Sequence, residues 1–86
     1  MTIVSFPLPG YKITTTTDFQ DNFLKFLNTS NSITFVNTSS VEVEVSLDGM
    51  KVDGKIPPNS NIFTMLKINQ IAFRSSTPAT LYIFIG

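Results

Sequence analysis

Short apolar runs alternate along this chain with clusters of Ser, Thr and Asn at 14–17, 28–32, 37–40, 59–61 and 75–77. The clearest run is Val41-Glu42-Val43-Glu44-Val45-Ser46-Leu47. In an extended chain Val41, Val43, Val45 and Leu47 point one way, and Glu42, Glu44 and Ser46 the other. This period of two predicts a half-buried strand with one wet face. Asp48-Gly49 ends it, and Asp53-Gly54 supplies a second turn signal. The intervening Met50-Lys51-Val52 reads as a short strand or a loop.

Upstream, Ile33-Thr34-Phe35-Val36 predicts a strand. Asn37-Thr38-Ser39-Ser40 joins it to the Val41 strand through a connection of hairpin length. Downstream, Ile56-Pro57-Pro58-Asn59-Ser60-Asn61 is expected to be a loop, because two prolines remove two ladder donors. It leads into Ile62-Phe63-Thr64-Met65-Leu66. Ile71-Ala72-Phe73-Arg74 follows, with Ile71 and Phe73 on one face. Ser75-Ser76-Thr77-Pro78 then turns the chain into Leu81-Tyr82-Ile83-Phe84-Ile85.

That last strand is apolar on both faces. Leu81, Ile83 and Ile85 form one face, and Tyr82 and Phe84 the other. Such a strand is central in a packed structure, lies under a loop of its own chain, or faces another subunit. The segment 18–28, DFQDNFLKFLN, has two readings. Asp18 fits a helix N-cap, with Phe19, Phe23 and Leu27 at four-residue spacing. Eleven residues make a marginal helix in an all-β setting, so the reading favours a strand over roughly 22–28. Residues 1–12 form a separate piece, in which Pro7 and Pro9 hold the chain extended around apolar Ile3, Val4, Phe6 and Leu8. It either covers an edge of its own domain or reaches a neighbour. Together these elements predict an all-β fold: a small antiparallel β-sandwich or jelly-roll-like domain over 13–86, preceded by an extended N-terminal arm over 1–12.

Composition narrows the chemistry. The 86 residues make one domain, which buries only about 60–65% of the surface its unfolded form exposes. Domains this small draw on disulfides, metals or partner subunits. The chain has no Cys and no His, which removes the disulfides and the commonest metal ligands. Partner subunits remain. The same absences remove the usual general base and the most reactive nucleophile. The expectation is a protein that is not an enzyme and uses no cofactor or metal.

Formal net charge is zero, and Lys12, Lys25, Lys51, Lys55, Lys67 and Arg74 are scattered singly. Nucleic-acid binders cluster their basic residues, so no nucleic-acid partner is expected. Low net charge favours association. No apolar run approaches the ~20 residues that span a bilayer, so no membrane partner is expected either. The first residues lack the basic region of a signal peptide. The sequons at Asn28 and Asn37 match by chance in a chain so rich in Asn, Ser and Thr.

Three local patterns invite chemistry. Asp48-Gly49 and Asp53-Gly54 hint at calcium, but calcium takes about six to eight oxygens, and two β-turns explain the pattern better. Glu42 and Glu44 lie ~7 Å apart on one strand face, a separation that glycosidase carboxylates also show. Adjacent acids on a wet strand face are common, however, and they discourage edge pairing. Thr14-Thr15-Thr16-Thr17 reads as a β-branched edge strand rather than a spaced ice- or sugar-binding array.

The stretch 33–86 resembles the small virion structural proteins of tailed bacteriophages. It runs ITFVNTSS, then VEVEVSLDG, then IPPNS, and closes with IAFRSSTPATLYIFIG. Its grammar is a strand ending in Asn-Thr-Ser, a strand ending in Asp-Gly, a Pro-containing loop, and two final strands closing near Gly86. Proteins of this kind are β-sandwich or jelly-roll-like parts of the particle: head decoration or auxiliary capsid proteins, neck and tail components, or fibre bases. The resemblance implies a virion location, many symmetric copies, and contacts with copies of itself and with other virion proteins. It carries no catalytic residue. The expected assembly contacts are Ile3, Phe6, Leu8, Tyr82 and Phe84. The rival expectation is a ligand-binding β-sandwich, such as a carbohydrate or adhesin module, with Tyr11 as its main candidate platform.

Overall fold

The structure, a computed structural model, describes residues 10–26 and 28–86. Among them run β1 (Gly10–Thr14), β2 (Phe23–Lys25), β3 (Ile33–Asn37), β4 (Val43–Ser46), β5 (Gly54–Ile56), β6 (Ser60–Thr64), β7 (Gln70–Arg74) and β8 (Thr80–Ile85). A 3₁₀ turn, Phe19–Asn22, precedes β2. The strands form two antiparallel sheets, sheet I in the order β1-β8-β3-β6 and sheet II in the order β2-β7-β4-β5. Successive strands alternate between the sheets except at β4–β5, which form a hairpin within sheet II. This order is that of an eight-stranded jelly roll, a form of β-sandwich. The all-β sandwich predicted from patterning is the fold.

The core lies between the sheets. Sheet I contributes Ile33, Phe35, Leu81, Ile83 and Ile85, and sheet II Val43, Val45, Ile56, Ile71 and Phe73. Ile33, Val43, Ile71, Phe73, Leu81 and Ile83 are wholly enclosed, and each such side chain gains about 1.5–3 kcal/mol on burial. Phe35 and Phe73 meet edge to face across the layers, their centroids 5.9 Å apart.

Several local expectations change. Residues 33–36 and 41–47 do not form a hairpin, because β3 and β4 belong to different sheets. The cause is Asn37, which is 1% exposed and turns the chain across the sandwich. Its Nδ2 donates to the carbonyls of Val41 at 2.8 Å and Pro57 at 3.0 Å. Its Oδ1 accepts from the amide and hydroxyl of Ser39 at 3.0 and 2.6 Å. Side-chain bonding of this kind lets a four-residue connection change sheets.

Ser46, expected on a wet face, is buried. Its Oγ donates to Asp48 Oδ1 at 2.9 Å and accepts from the Gly49 amide at 2.8 Å. The outer face of sheet II is covered here: Phe23 stands opposite Ala72, and Phe19 is 3% exposed. The expected loop 56–61 shrinks to 57–59, since Ile56 ends β5 and Ser60 and Asn61 begin β6. The two prolines interrupt pairing only where they stand, and Asn59 turns the chain at φ 49°. In 18–28, Asp18 does cap, its Oδ1 accepting from the Gln20 amide at 2.9 Å. The result is one 3₁₀ turn followed by the short β2, rather than a strand over all of 22–28. Gly10, Tyr11 and Lys12 belong to β1.

Candidate functional site

Register fixes which side chains share the outer face of sheet I. Gly10, Phe84, Thr34 and Phe63 stand opposite one another across β1, β8, β3 and β6. Lys12, Tyr82, Val36 and Asn61 form the adjacent row. β8 is therefore central: Leu81, Ile83 and Ile85 face the core, while Tyr82 and Phe84 point outward and are half-buried. The Lys12 ammonium lies 5.8 Å from the centre of the Tyr82 ring.

Beside them Phe63 is 65% exposed and Met65 74%. Val36 beside Tyr82 and Phe63 across Thr34 from Phe84 carry apolar side chains from the middle of sheet I to its β6 edge, and Met65 follows just past that strand. Sequence reading named Tyr82 and Phe84 and missed Phe63 and Met65. The signal was present, since Ile62-Phe63-Thr64-Met65-Leu66 is apolar on both faces just as the last strand is. Ile3, Phe6 and Leu8 lie outside the described residues.

A second apolar surface opens at the edge of the sandwich. A cleft of about 260 Å³ separates β5 from β6, and Phe35, Val45, Ile56, Ile62 and Leu66 are among its lining residues. It reaches the side chains of the core directly.

The charged candidates are occupied by partners within the chain. Arg74 Nε donates to Glu44 Oε1 at 2.7 Å, and the guanidinium lies 4.3 Å from the centre of the Phe19 ring. Lys55 Nζ stands 3.9 Å from Glu42 Oε1. The two glutamates share a face yet answer to different cations. A polar cleft of about 320 Å³ adjoins them, lined in part by Thr17, Ser75 and Ser76.

The two Asp-Gly sequences build one loop. Asp48 Oδ1 accepts from the amides of Met50 at 2.8 Å and Lys51 at 3.1 Å, as well as from Ser46. These bonds hold its carboxyl below the usual value. Asp53 accepts from Lys51 Nζ at 2.8 Å and from the Leu47 amide at 2.7 Å, and its carboxyl is lowered too. Both carboxylates act as local loop acceptors. Among the described residues no three acids cluster in a way that could hold a metal ion.

Thr15 joins Ser75 through their hydroxyls and accepts from the Ala79 amide at 3.0 Å. The threonine run therefore splits between edge strand and buried corner. Tyr11 is half-buried and stacks on Phe26 at 6.4 Å, so much of its ring faces its own chain. No family model, curated protein or solved structure matches this chain.

Proposed function

We propose that this chain is a non-catalytic structural subunit of a tailed-bacteriophage virion, in which it contacts copies of itself and other particle proteins. The observation that carries the reading is the outer face of sheet I, where Val36 stands beside Tyr82, Phe63 lies across Thr34 from Phe84, and the exposed Met65 follows two residues after Phe63. Exposed apolar surface of this kind marks interaction sites on soluble proteins. A charge balance of zero leaves little repulsion between copies. The resemblance over 33–86 supplies the virion context, and jelly rolls recur in viral capsid domains as well as in lectins.

The test is substitution on the face. Phe63→Ser with Met65→Ser, and separately Phe84→Ala, should weaken self-association by at least about tenfold, as truncating a buried aromatic anchor does at interfaces. Circular dichroism should show the fold retained. If association is unchanged in both variants, the face is not the contact.

A further inference from the structure

Four strands end the two sheets among the described residues: β1 and β6 in sheet I, β2 and β5 in sheet II. An edge strand shows a row of N–H and C=O groups to any strand that approaches, and natural sheets blunt such edges with charge, lysine above all. Three of the four edges follow that rule. β1 carries Lys12, β2 Lys25 and β5 Lys55. β6, Ser60-Asn61-Ile62-Phe63-Thr64, carries no charge. No residue from 56 to 66 is charged, and Pro57 and Pro58 stand ahead of the strand rather than in it.

The uncharged edge is also the one flanked by exposed apolar side chains, Phe63 within the strand and Met65 just past it. Among the described residues β6 pairs only with β3. Alternate residues of an antiparallel strand turn both main-chain groups to the same side. Every second residue of β6 therefore presents an N–H and a C=O to the open edge, and an added strand draws its affinity from such groups.

A second β6 fits this edge. Identical strands related by a two-fold axis pair antiparallel and offer each other the same surface. The register with its axis at Ile62 pairs all five residues of β6. It sets Ser60 opposite the partner subunit's Thr64, Asn61 opposite the partner subunit's Phe63, and Ile62 opposite the partner subunit's Ile62. No like charges meet. The two Phe63 side chains become diagonal neighbours on the outer face, roughly 7–8 Å apart and within reach of each other. Closure limits the assembly, because a two-fold contact leaves no second β6 edge open. The ends of the joined sheet are the two β1 strands, each guarded by Lys12.

We infer that β6 pairs antiparallel with β6 of a second copy about an axis at Ile62, joining the two copies of sheet I into one continuous sheet. The inference rests on the reading that the chain associates with copies of itself, and it specifies the contact.

The chain has no cysteine, so introduced thiols report the register. Full-length Ser60→Cys and Thr64→Cys are mixed under a mild oxidant. Pairing sets these two positions opposite each other, within disulfide reach. Two Ser60→Cys chains, or two Thr64→Cys chains, hold their thiols four residues apart along the strands, ~13 Å, too far to bridge. The mixture should give linked dimer about tenfold or more above either variant alone, because pairing raises the local thiol concentration.

Charge at the axis supplies a second arm. Ile62 faces the interior of the sandwich, opposite Phe35 of β3, and takes no part in the outer face. Ile62→Lys alone and Ile62→Glu alone set like charges opposite each other and should lose association. Their mixture sets Lys opposite Glu and should regain a heterodimer. An unsubstituted chain that associates without preferential cross-linking of the cysteine mixture overturns edge pairing and leaves the outer-face contact standing. A chain that never associates overturns both.

Discussion

The side chain of Asn37 donates to the carbonyl of Pro57 at 3.0 Å, tying the crossover from β3 to β4 to the crossover from β5 to β6. Both connections pass between the sheets at one end of the sandwich. One amide thus serves two chain reversals and, through Ser39 and Val41, the corner in which it sits. Replacing it by Ala takes the acceptor from the Ser39 amide and one of the two donors from each of the Val41 and Pro57 carbonyls, which keep only the Ser39 and Ser60 hydroxyls; a group left unmet costs about 1–3 kcal/mol. Asn37→Ala should lower stability by about 2–3 kcal/mol in urea unfolding. Asn37→Asp should cost more, because a carboxylate would face the carbonyls of Val41 and Pro57.

Gly49 adopts φ +79°, and a Cβ there would stand 2.5 Å from Phe23 Cε2 and 2.7 Å from Gln20 Nε2. Gln20 also donates to the Gly49 carbonyl at 3.1 Å. Gly49→Ala combines backbone strain with a clash and should cost at least about 1 kcal/mol. Gly54→Ala serves as the control, since nothing lies within 4 Å of its added methyl. Thermal unfolding of the two variants should separate clearly.

Arg74 bridges Glu44 and the Phe19 ring. Lys keeps the charge but not the planar group that stacks and donates from Nε. Arg74→Lys should lose about 1 kcal/mol, and prior removal of the ring by Phe19→Leu should shrink that loss. A double-mutant cycle measures the coupling.

The loop from Asp48 to Asp53 sets an acid dependence. The Asp48 carboxyl is lowered by the Met50 and Lys51 amides and by Ser46, and that of Asp53 by the Lys51 ammonium and the Leu47 amide. A carboxyl lowered in the folded state contributes stability above its unfolded value of about 3.9, and loses it as pH falls through the folded value. The difference in stability between the wild-type chain and Asp48→Ala should therefore be largest near neutral pH and shrink as pH falls through the folded value of Asp48. The Lys51 ammonium is raised by Asp53, so its contribution is present below about 10.4 and fades as pH climbs through the folded value. Urea unfolding across pH reads both limbs.

The alternation of Val43, Glu44 and Val45, the two Asp-Gly turns and the double-faced Leu81–Ile85 segment were all legible in the sequence. Their partners were not. A four-residue connection looks the same whether it closes a hairpin or crosses between sheets, and only the buried Asn37 amide distinguishes them. Ser46 alternates with valines as a solvent-facing residue would, yet Phe19 and Phe23 belong to the cover over that face of sheet II. The outward place of Tyr82 and Phe84 follows from period two, whereas the place of Phe63 on the same face depends on β3 lying between β8 and β6. The β5–β6 cleft had no local signature at all, because its lining comes from four strands and the loops beside them.

The central claim is that this sandwich functions as one of several contacting copies. The most direct test is the solution mass of the full chain by light scattering over a range of concentrations. The account predicts a mass that is a multiple of the 9.5 kDa chain and falls when Phe63 and Met65 are both replaced by Ser. A mass of 9.5 kDa at every concentration would contradict it.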